Sequence, residues 1–339
     1  MTDSLLLIEH LVKYFPIKAQ SFFGSRQDVR AVDDVSLEVR RGETVGLVGE
    51  TGCGKSTLAR CIIRLENPTS GRIVFDGHDI TRARDDELRP YRQQMQMVFQ
   101  DPYSSLNPRR RVGSIIGDPF EIHGIASAVE RKRRVQELMD LVGLNPEHYN
   151  RFPAQFSGGQ RQRIGIARAI ALKPRLLVCD EPVSALDVSI RAQILNLLAD
   201  LQKELSLTIL FISHDLSVVR HVSDRIAVMY LGKVVEIASA QDLFEHARHP
   251  YTRALLSAIP IADPDLDAVR EQIVLSGDPP SPIEPPGGCR FHPRCPRADA
   301  MCSVEEPALT SRLVDTMDHL AACHFPVGDG EPLVPAGKL

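Results

Sequence analysis

The sequence predicts an α/β fold with a helical insert in its middle and a small cysteine- and proline-rich C-terminal extension. Short apolar runs of strand character alternate along the chain with stretches in which apolar residues recur at helical spacing. One strand-to-helix junction is rich in glycine and has the spacing of a phosphate-binding loop. The chain has 339 residues, 43% hydrophobic and 25% charged. It is therefore long enough for two domains and can form a packed core.

The glycine-rich junction lies between the apolar run 44–48 and a predicted helix at 58–65. Glycines let successive backbone N–H groups point at one anion, and the helix behind them directs its positive dipole end to the same place. We expect Lys55 to reach the β- and γ-phosphates of a nucleoside triphosphate, and the Ser56 hydroxyl to bind Mg²⁺. The alternative is a chance glycine turn. The predicted nucleotide-binding residues are Gly49, Glu50, Thr51, Gly52, Cys53, Gly54, Lys55, Ser56 and Thr57.

A predicted apolar strand at 176–179 is followed by two acids, Asp180 and Glu181. At such a strand end in phosphate-loop enzymes, the first carboxylate holds the Mg²⁺ sphere, here Asp180. The second, Glu181, can accept the proton of an attacking water. The alternative is a polar strand end with two solvated acids.

A second glycine-bared helix start is predicted at residues 157–160, before a helix at 161–172. Ser157 has the side chain of an N-cap residue, and the glycines expose backbone N–H groups, so this start is a second candidate anion site. A flexible turn is the alternative. The four residues are Ser157, Gly158, Gly159 and Gln160.

The remaining elements follow from periodicity and from turn residues. Further strands are predicted at 5–12, 35–39, 71–76, 95–99 and 208–212, with a hairpin at 225–230 and 233–237. Further helices are predicted at 130–141 and 188–205, a mobile loop at 17–30 and a basic, proline-rich segment at 102–119.

Charge and hydropathy restrict the function classes. The formal net charge of −4 does not support a general nucleic-acid-binding surface. No apolar run approaches the roughly 18 residues of a membrane-spanning helix, and residues 1–4 lack the basic start of a secretory signal. We expect a soluble cytoplasmic protein that meets a membrane only through partners.

The seven cysteines fall into two groups. Cys53, Cys61 and Cys179 are scattered and read as packing residues, whereas Cys289, Cys295, Cys302 and Cys323 lie together near the C-terminus. A reducing cytoplasm argues against disulfides, and a core-poor segment needs a crosslink, so the second group suggests a metal site. Its spacing is neither that of short zinc knuckles nor that of bacterial ferredoxins. Four reduced packing cysteines are the alternative. The neighbouring His292 and His324 could substitute as ligands, but bonding to nearby backbone is the simpler expectation for them.

Further motifs carry a family resemblance. Residues 5–258 resemble the ATP-binding cassette of ABC transporters, a P-loop NTPase with an N-terminal antiparallel β-subdomain and a helical subdomain. Residues 156–163 are similar to the family's signature motif, with Phe156 where leucine is more usual. The other matching positions are Gln100 for the Q-loop, 184–187 for the D-loop, His214 for the switch histidine and Phe15 for the aromatic that stacks on adenine, with Tyr14 as the fallback.

The resemblance implies a mechanism. Two cassettes would dimerise head to tail and enclose two ATP molecules, each between the phosphate-binding loop of one and the signature helix of the other. It implies Mg²⁺ bound through Ser56, Gln100 and Asp180, and Glu181 as the base. His214 would contact the γ-phosphate, and Asp187 would act across the dimer interface.

More specific stretches resemble ATPase subunits of oligopeptide/dipeptide importers, most closely the second of the two ATPase types. They are residues 100–108, 184–193, 249–256 and 288–296. This implies a cassette at 1–258, with its helical subdomain at about 101–172, and an extension at 259–339 whose four cysteines bind [4Fe-4S] or, alternatively, zinc. It also implies a related second ATPase, two membrane permeases in contact with residues 101–120, an extracytoplasmic peptide-binding protein and a peripheral place on the cytoplasmic face of the bacterial inner membrane.

Three rival functions stay open at this point. The same machinery could import nickel, glutathione or another small solute. A non-transport ABC ATPase acting in DNA repair or on the ribosome would generally carry two cassettes or basic insertions. A P-loop kinase outside the family would not need residues 157–160 or His214.

Overall fold

A computed structural model describes residues 4–17, 27–101, 105–259, 273, 275, 277–311 and 318–333. The strands are β1 Ser4–Ile17, β2 Gln27–Arg40, β3 Thr44–Val48, β4 Ser70–Phe75, β5 His78–Asp79, β6 Met95–Val98, β7 Leu176–Asp180, β8 Thr208–Ser213, β9 Arg225–Tyr230, β10 Lys233–Ser239, β11 Thr310–Ser311 and β12 Leu320–Ala321. The helices are α1 Lys55–Ile62, α2 Asp85–Gln94, α3 Val112–His123, α4 Ala128–Leu141, α5 Gly158–Ile170, α6 Val188–Leu205, α7 Leu216–Val222, α8 Ala240–His246 and α9 Pro250–Ser257.

The chain divides into two compact units. The first consists of Met1–Leu5, Val39–Thr44 and Arg82–Ile212, and the second of Leu6–Glu38, Val45–Thr81 and Ser213–Leu339. Within the described residues, no helix is long and apolar enough to cross a bilayer.

The first unit contains a parallel sheet and a group of helices. Strand β7 pairs in parallel with β6 on one side and β8 on the other, and every residue of β7 is buried. A parallel strand covered on both faces carries such a continuous apolar run. Helices α3, α4 and α5 pack against one another through buried residues that include Ile116, Val135 and Ile164.

The second unit contains most of one sheet and part of another. One has the order β2-β1-β4-β5, with β1 antiparallel to β4, and is the predicted antiparallel β-region near the N-terminus. In the other, β9 pairs in parallel with β3 and antiparallel with β10, which confirms the predicted hairpin. The C-terminal region adds two short strands, β12 beside β10 and β11 beside β12.

Several predicted boundaries agree closely with the structure. Strand β3 and helix α6 span the predicted residues 44–48 and 188–205. Helix α1 begins at Lys55 and not at 58, because left-handed Gly54 ends the loop. Helix α5 likewise begins at Gly158, before the predicted 161, since Ser157 caps it.

Other predictions were wrong or incomplete. Ile17 and residues 27–30 belong to β1 and β2, where a mobile loop was expected at 17–30; residues 18–26 lie outside the described part. Helix α3 covers much of the segment interpreted as basic and proline-rich at 102–119, and it contains Pro119. Helices α2, α7, α8 and α9 were not predicted.

Candidate nucleotide site and cysteine cavity

Two glycines of the predicted phosphate-binding loop have no room for a side chain. The backbone φ is 155° at Gly49 and 110° at Gly54. A Cβ at Gly49 would lie 2.1 Å from the Met229 carbonyl oxygen, and one at Gly54 would lie 2.0 Å from the Ala31 carbonyl oxygen. The loop therefore passes so close to the backbones of β2 and β9 that only glycine fits at both positions.

The Lys55 side chain folds back onto this loop. Its side chain is buried, and its Nζ donates to the carbonyl oxygens of Gly49 at 2.8 Å and of Glu50 at 3.0 Å. Burial raises the pKa of the neighbouring Cys53 thiol, which keeps that thiol neutral and fits its predicted packing role. Thr51 and Gly52 are exposed at the tip of the loop, and Ser56 and Thr57 are partly exposed in the first turn of α1. The loop thus presents a concentrated positive charge beside a helix start.

Phe15 and Tyr14 lie near the end of β1 in different surroundings. The ammonium of Lys13 lies 4.6 Å from the centre of the Phe15 ring. The Tyr14 hydroxyl donates to Oδ1 of Asp33 at 2.5 Å, and burial followed by the Asp33 carboxylate raises the pKa of Tyr14 to about 12. Because its hydroxyl is held by Asp33, Tyr14 is less free than Phe15 to reorient toward a ligand.

Asp180 and Glu181 end strand β7 as predicted. The Asp180 side chain is buried, and Glu181 adopts a left-handed backbone conformation with φ of 46°. The Glu181 N–H donates to the carbonyl oxygen of Ile212 at 2.9 Å. Nε2 of Gln100 donates to Oε2 of Glu181 at 2.8 Å, so two sequence-predicted residues meet here. A strained non-glycine residue of this kind, costing about 1–2 kcal/mol, is typical of functional positions.

The predicted signature segment forms a capped helix start. Ser157 Oγ accepts from the Gln160 N–H at 3.3 Å, and Gln160 Oε1 accepts from the Ser157 N–H at 3.0 Å, which confirms the N-cap. Ser157 and Gln160 are exposed, and Gly158 is partly exposed. Gly159 is buried, and a Cβ there would lie 2.4 Å from Cγ2 of Ile190. This helix start is thus exposed at Ser157 and Gln160 and partly exposed at Gly158.

Two further predicted residues are at the surface of their units. Asp187 is exposed and precedes the first residue of α6. His214 is exposed directly after β8. Both residues thus lie at the surface of their own units.

The four C-terminal cysteines converge, although 34 residues separate the first from the last in the sequence. They line one cavity of about 10 Å³, which is room for about one water molecule. Burial raises the pKa of each of three of these thiols, to about 11 for Cys295 and about 12 for Cys323, with a smaller increase at Cys289. The bonds of His292 and His324 to the carbonyl oxygens of Cys289 and Glu305 are as expected.

The buried His249 lines the same cavity. Its Nδ1 accepts from the Tyr251 N–H at 3.1 Å, so the proton of the neutral ring is on Nε2, which has no hydrogen-bond partner among the described residues. Burial lowers the pKa of His249 to about 4. The cavity is therefore lined by four thiols and by side chains with N–H groups, among them His249, a set suited to a thiolate-bound metal.

The coordination geometry of such a metal is not present. Within the part of the chain that the structure describes, no group of three or more His, Cys, Asp or Glu side chains is arranged to hold a metal ion. The side chains as placed have the donor chemistry but neither the space nor the arrangement of a [4Fe-4S] or zinc site. The metal prediction thus gains no support from this geometry.

Two contacts of the loop were not predicted. Tyr251 Oη accepts from the Glu50 N–H at 2.9 Å, and Nη1 of Arg294 lies 2.9 Å from Oε2 of Glu50. Tyr251 and Arg294 lie within stretches interpreted only as family markers, 249–256 and 288–296. Periodicity and local spacing hold no signal for contacts between such distant segments.

Two family models match different parts of this chain. The family described as "ABC transporter" matches residues 32–184, and "Oligopeptide/dipeptide transporter, C-terminal region" matches residues 235–302. The oligopeptide transport ATP-binding protein AppF of Bacillus subtilis is 51% identical over 324 residues, which are 95% of this chain and 98% of AppF. This chain belongs to the ATP-binding subunits of oligopeptide/dipeptide ABC transporters. It is also 49% identical to the dipeptide transport ATP-binding protein DppF of Haemophilus influenzae, over 92% of this chain and 94% of that protein.

Solved structures of ABC cassettes share the fold of this ATP-binding subunit. The dimeric cassette MJ0796 in a post-hydrolysis state with ADP and Pi matches with a TM-score of 0.62 and 30% identity, over 69% of this chain and 98% of that one. CbiO1 of Clostridium perfringens matches with a TM-score of 0.61 and 27% identity, over 72% of this chain and 92% of that one. As a member of this family, the chain hydrolyses ATP.

Proposed function

We propose that this chain powers an ABC importer for di- and oligopeptides by hydrolysing ATP at a cassette dimer interface. The observation that carries the proposal is the match of its C-terminal region, residues 235–302, to that of oligopeptide/dipeptide transporters. Relatives named for oligopeptide, dipeptide and di/tripeptide transport align over more than nine-tenths of the chain. Cargo is chosen by the other subunits of such a machine, so the chain itself supplies the energy.

Residues 49–57 bind the triphosphate in this proposal, and Phe15 stacks on the adenine. Lys55 supplies a positive charge, and the loop directs backbone N–H groups toward the phosphates. What supports this assignment is the loop's compact geometry, in which Lys55 already bridges two loop carbonyls. Binding replaces those carbonyls by phosphate oxygens as acceptors of the Lys55 ammonium.

The partner cassette supplies the other side of the site. Ser157, Gly158, Gly159 and Gln160 of one subunit would face the γ-phosphate bound by the other, with Asp187 at the same interface. The capped start of α5 supports this, because Ser157 and Gln160 are exposed and the helix dipole favours an anion there. Hydrolysis and phosphate release then remove the charge that holds two helix starts together, and the dimer can open.

Glu181 is the proposed general base. It orients a water and accepts its proton, while Gln100 fixes the carboxylate through the 2.8 Å hydrogen bond and His214 contacts the γ-phosphate. Oxygen donors suit Mg²⁺, and the candidates are the Ser56 hydroxyl, the Gln100 amide oxygen and the Asp180 carboxylate. When bound, Mg²⁺ neutralises charge on the phosphate oxygens.

The partners in this proposal are a related second ATPase, two membrane permeases and an extracytoplasmic peptide-binding protein, with no nucleic acid. The chain would lie at the cytoplasmic face of the bacterial inner membrane, with residues 101–120 against the permeases. In the same proposal the cassette spans 1–258 and the extension 259–339.

The [4Fe-4S] or zinc site at the four cysteines stays a prediction. The four thiols line one cavity, but among the described residues their arrangement is not that of a metal site. Anaerobic purification followed by iron, sulfide and zinc analysis decides the matter. Protein free of all three would retire the metal and leave four packing cysteines.

Uptake assays test the transport function. In host cells that lack this chain, uptake of a labelled dipeptide and of a labelled tripeptide should fail, and the wild-type chain should restore it whereas Lys55→Ala should not. Peptide uptake that persists without the chain, together with lost nickel or glutathione uptake, would reassign the cargo. Copurification with ribosomes in place of membrane permeases would overturn the transport function.

A further inference from the structure

The segment from Cys289 to Cys295 joins the cysteine cavity to the phosphate-binding loop. Its amides are ordered by short-range bonds, among them His292 N–H to Cys289 O at 3.0 Å and Cys295 N–H to His292 O at 3.2 Å. Three of its side chains, Arg290, Phe291 and Arg294, are buried. We call this segment, residues 289–295, the thiol loop.

Arg294 holds the second residue of the phosphate-binding loop. Its Nη1 donates to both carboxylate oxygens of Glu50, at 3.1 and 2.9 Å. The Arg294 side chain is 8% exposed and that of Glu50 is 27% exposed, so water screens the pair only in part. A carboxylate within this loop would repel a triphosphate, and the guanidinium offsets that repulsion.

The rest of Glu50 is fixed as well. Its N–H donates to Tyr251 Oη at 2.9 Å, and its carbonyl oxygen accepts from Lys55 Nζ at 3.0 Å. With side chain, N–H and carbonyl all engaged, the position of Glu50 sets the curvature of the loop. Arg294 is the one of these three partners that comes from the thiol loop.

Arg290 reaches the same loop by a second route. It donates through Nη2 to Asp33 and through Nη1 to the Leu231 carbonyl oxygen. The next residue, Gly232, accepts from the Asp33 N–H at 2.9 Å and donates its own N–H to the Cys53 carbonyl oxygen at 2.8 Å. Asp33 also holds the Tyr14 hydroxyl, one residue from Phe15. Arg290 is therefore linked to the phosphate-binding loop through Leu231 and Gly232, and to Tyr14 through Asp33.

Phe291 fixes the thiol loop between these two arginines. Its ring centre lies 5.3 Å from that of Tyr230 and 5.4 Å from that of Tyr251, and all three side chains are at most 1% exposed. Tyr251 is the acceptor of the Glu50 N–H. A displacement of the thiol loop is thus transmitted through close-packed rings as well as through ion pairs.

We propose that Arg294 and Arg290 are positioning residues for ATP binding. Through them, the thiol loop holds the phosphate-binding loop in its binding conformation. This rests on the proposed assignment of residues 49–57 as the triphosphate site. By linkage, nucleotide bound at that site stabilises the thiol loop to the same extent that the thiol loop favours nucleotide binding. The order of the cysteine cavity and the occupancy of the nucleotide site are therefore coupled.

The first test is nucleotide affinity, measured with a fluorescent ATP analogue and Mg²⁺ on the full chain. Arg294→Ala should weaken binding roughly tenfold and raise KM more than it changes kcat. Arg294→Lys should recover part of the affinity, because it restores the charge but not the planar guanidinium. The control is Arg72→Ala, since Arg72 pairs with Asp79 at 2.9 Å elsewhere in the second unit and should leave affinity unchanged.

The second test measures the reciprocal effect. Hydrogen–deuterium exchange of residues 289–295 should slow on addition of MgATP in wild type and in Arg72→Ala, and should not respond in Arg294→Ala. If Arg294→Ala fails to fold, Glu50→Gln and Arg294→Lys replace it, since each weakens the same ion pair with a smaller change.

Two results distinguish a failure of this inference from a failure of the assignment of residues 49–57 as the triphosphate site. Lys55→Ala that binds the analogue as wild type does would overturn the assignment of residues 49–57. Loss of binding in Lys55→Ala, with Arg294→Ala indistinguishable from Arg72→Ala in affinity and in exchange, would overturn only the positioning role of the thiol loop.

Discussion

Nε2 of Gln100 donates a hydrogen bond of 2.8 Å to Oε2 of Glu181, across 81 residues of sequence. Glu181 carries a left-handed backbone that turns its side chain away from the line of β7, and Gln100 meets it there. A residue proposed to bind Mg²⁺ thus touches the residue proposed to activate water. A shift of one changes the orientation of the other.

Gln100→Ala should lower the turnover number for ATP about 10- to 100-fold with nucleotide affinity nearly unchanged. The reason is that a hydrogen bond to a charged group contributes about 1.5–3 kcal/mol, and here it orients the base. Steady-state hydrolysis and equilibrium binding of MgATP measure the two quantities. Gln93→Ala is the control, because Gln93 bonds His123 at 2.8 Å elsewhere in the first unit. An equal loss of turnover in both variants would refute the orienting role.

Ser157→Ala should destabilise the first turn of α5 by about 1 kcal/mol, the usual contribution of an N-cap. It should also lower ATP hydrolysis, because that helix start is proposed to face the γ-phosphate of the partner cassette. Ser127→Ala removes the N-cap of α4, where Ser127 Oγ accepts from the Glu130 N–H at 3.4 Å. Chemical denaturation and ATPase rates compare the two. Similar stability losses with unequal rates are expected, and unchanged hydrolysis in Ser157→Ala would contradict its role.

The hydrogen bond of Tyr14 to Asp33 predicts that the unfolding free energy depends on pH in the alkaline range. Burial, and then the Asp33 carboxylate, raise the pKa of Tyr14 to about 12 from its ordinary 10.0, so the folded state favours the neutral phenol. A raised folded-state pKa gives a contribution to stability that is complete below pH 10 and is lost as pH rises toward 12. The difference in unfolding free energy between wild type and Tyr14→Phe should therefore shrink across that range, measured by urea denaturation. A difference independent of pH from 9 to 12 would show that the hydroxyl is not held in this way.

Gly54→Ala should abolish nucleotide binding or unfold the second unit, because its Cβ would meet the Ala31 carbonyl oxygen. Gly77→Ala is the matched control, since Gly77 also has a positive φ, 78°, but its Cβ would meet nothing within 4 Å. Backbone strain alone costs about 1–2 kcal/mol, so Gly77→Ala should lose only that amount of unfolding free energy and keep its affinity for MgATP. Equal behaviour of the two variants would mean that the close approach at Gly54 is relieved by a small shift.

Local features of the fold could be read from the sequence where one signal dominated. The buried run 176–180 and the long amphipathic stretch 188–205 are placed by apolar pattern alone. Helices α2 and α3 escaped prediction because Pro90 and Pro119 lie inside them, and proline within a pattern argues against a helix. The end of β1 reaches Ile17 because distant groups hold it, such as Thr69 Oγ1, which accepts from the Tyr14 N–H at 3.0 Å.

The proposed catalytic residues could be identified from motifs, since each motif has fixed spacing. The residues that hold these catalytic residues and the phosphate-binding loop in position could not be identified in this way. Arg294 and Glu50 are 244 residues apart, and no periodicity relates them. The convergence of Cys323 with Cys289 was predicted only from composition, because the path of the intervening chain is set by tertiary packing.

The most direct test of the account is ATP turnover by Glu181→Gln, measured beside MgATP affinity and the oligomeric state with ATP. We predict affinity close to wild type, a loss of at least about 100-fold in turnover, as for removal of a general base, and accumulation of an ATP-bound dimer. Hydrolysis at the wild-type rate would contradict the assignment of Glu181, and with it the catalytic site proposed for this chain.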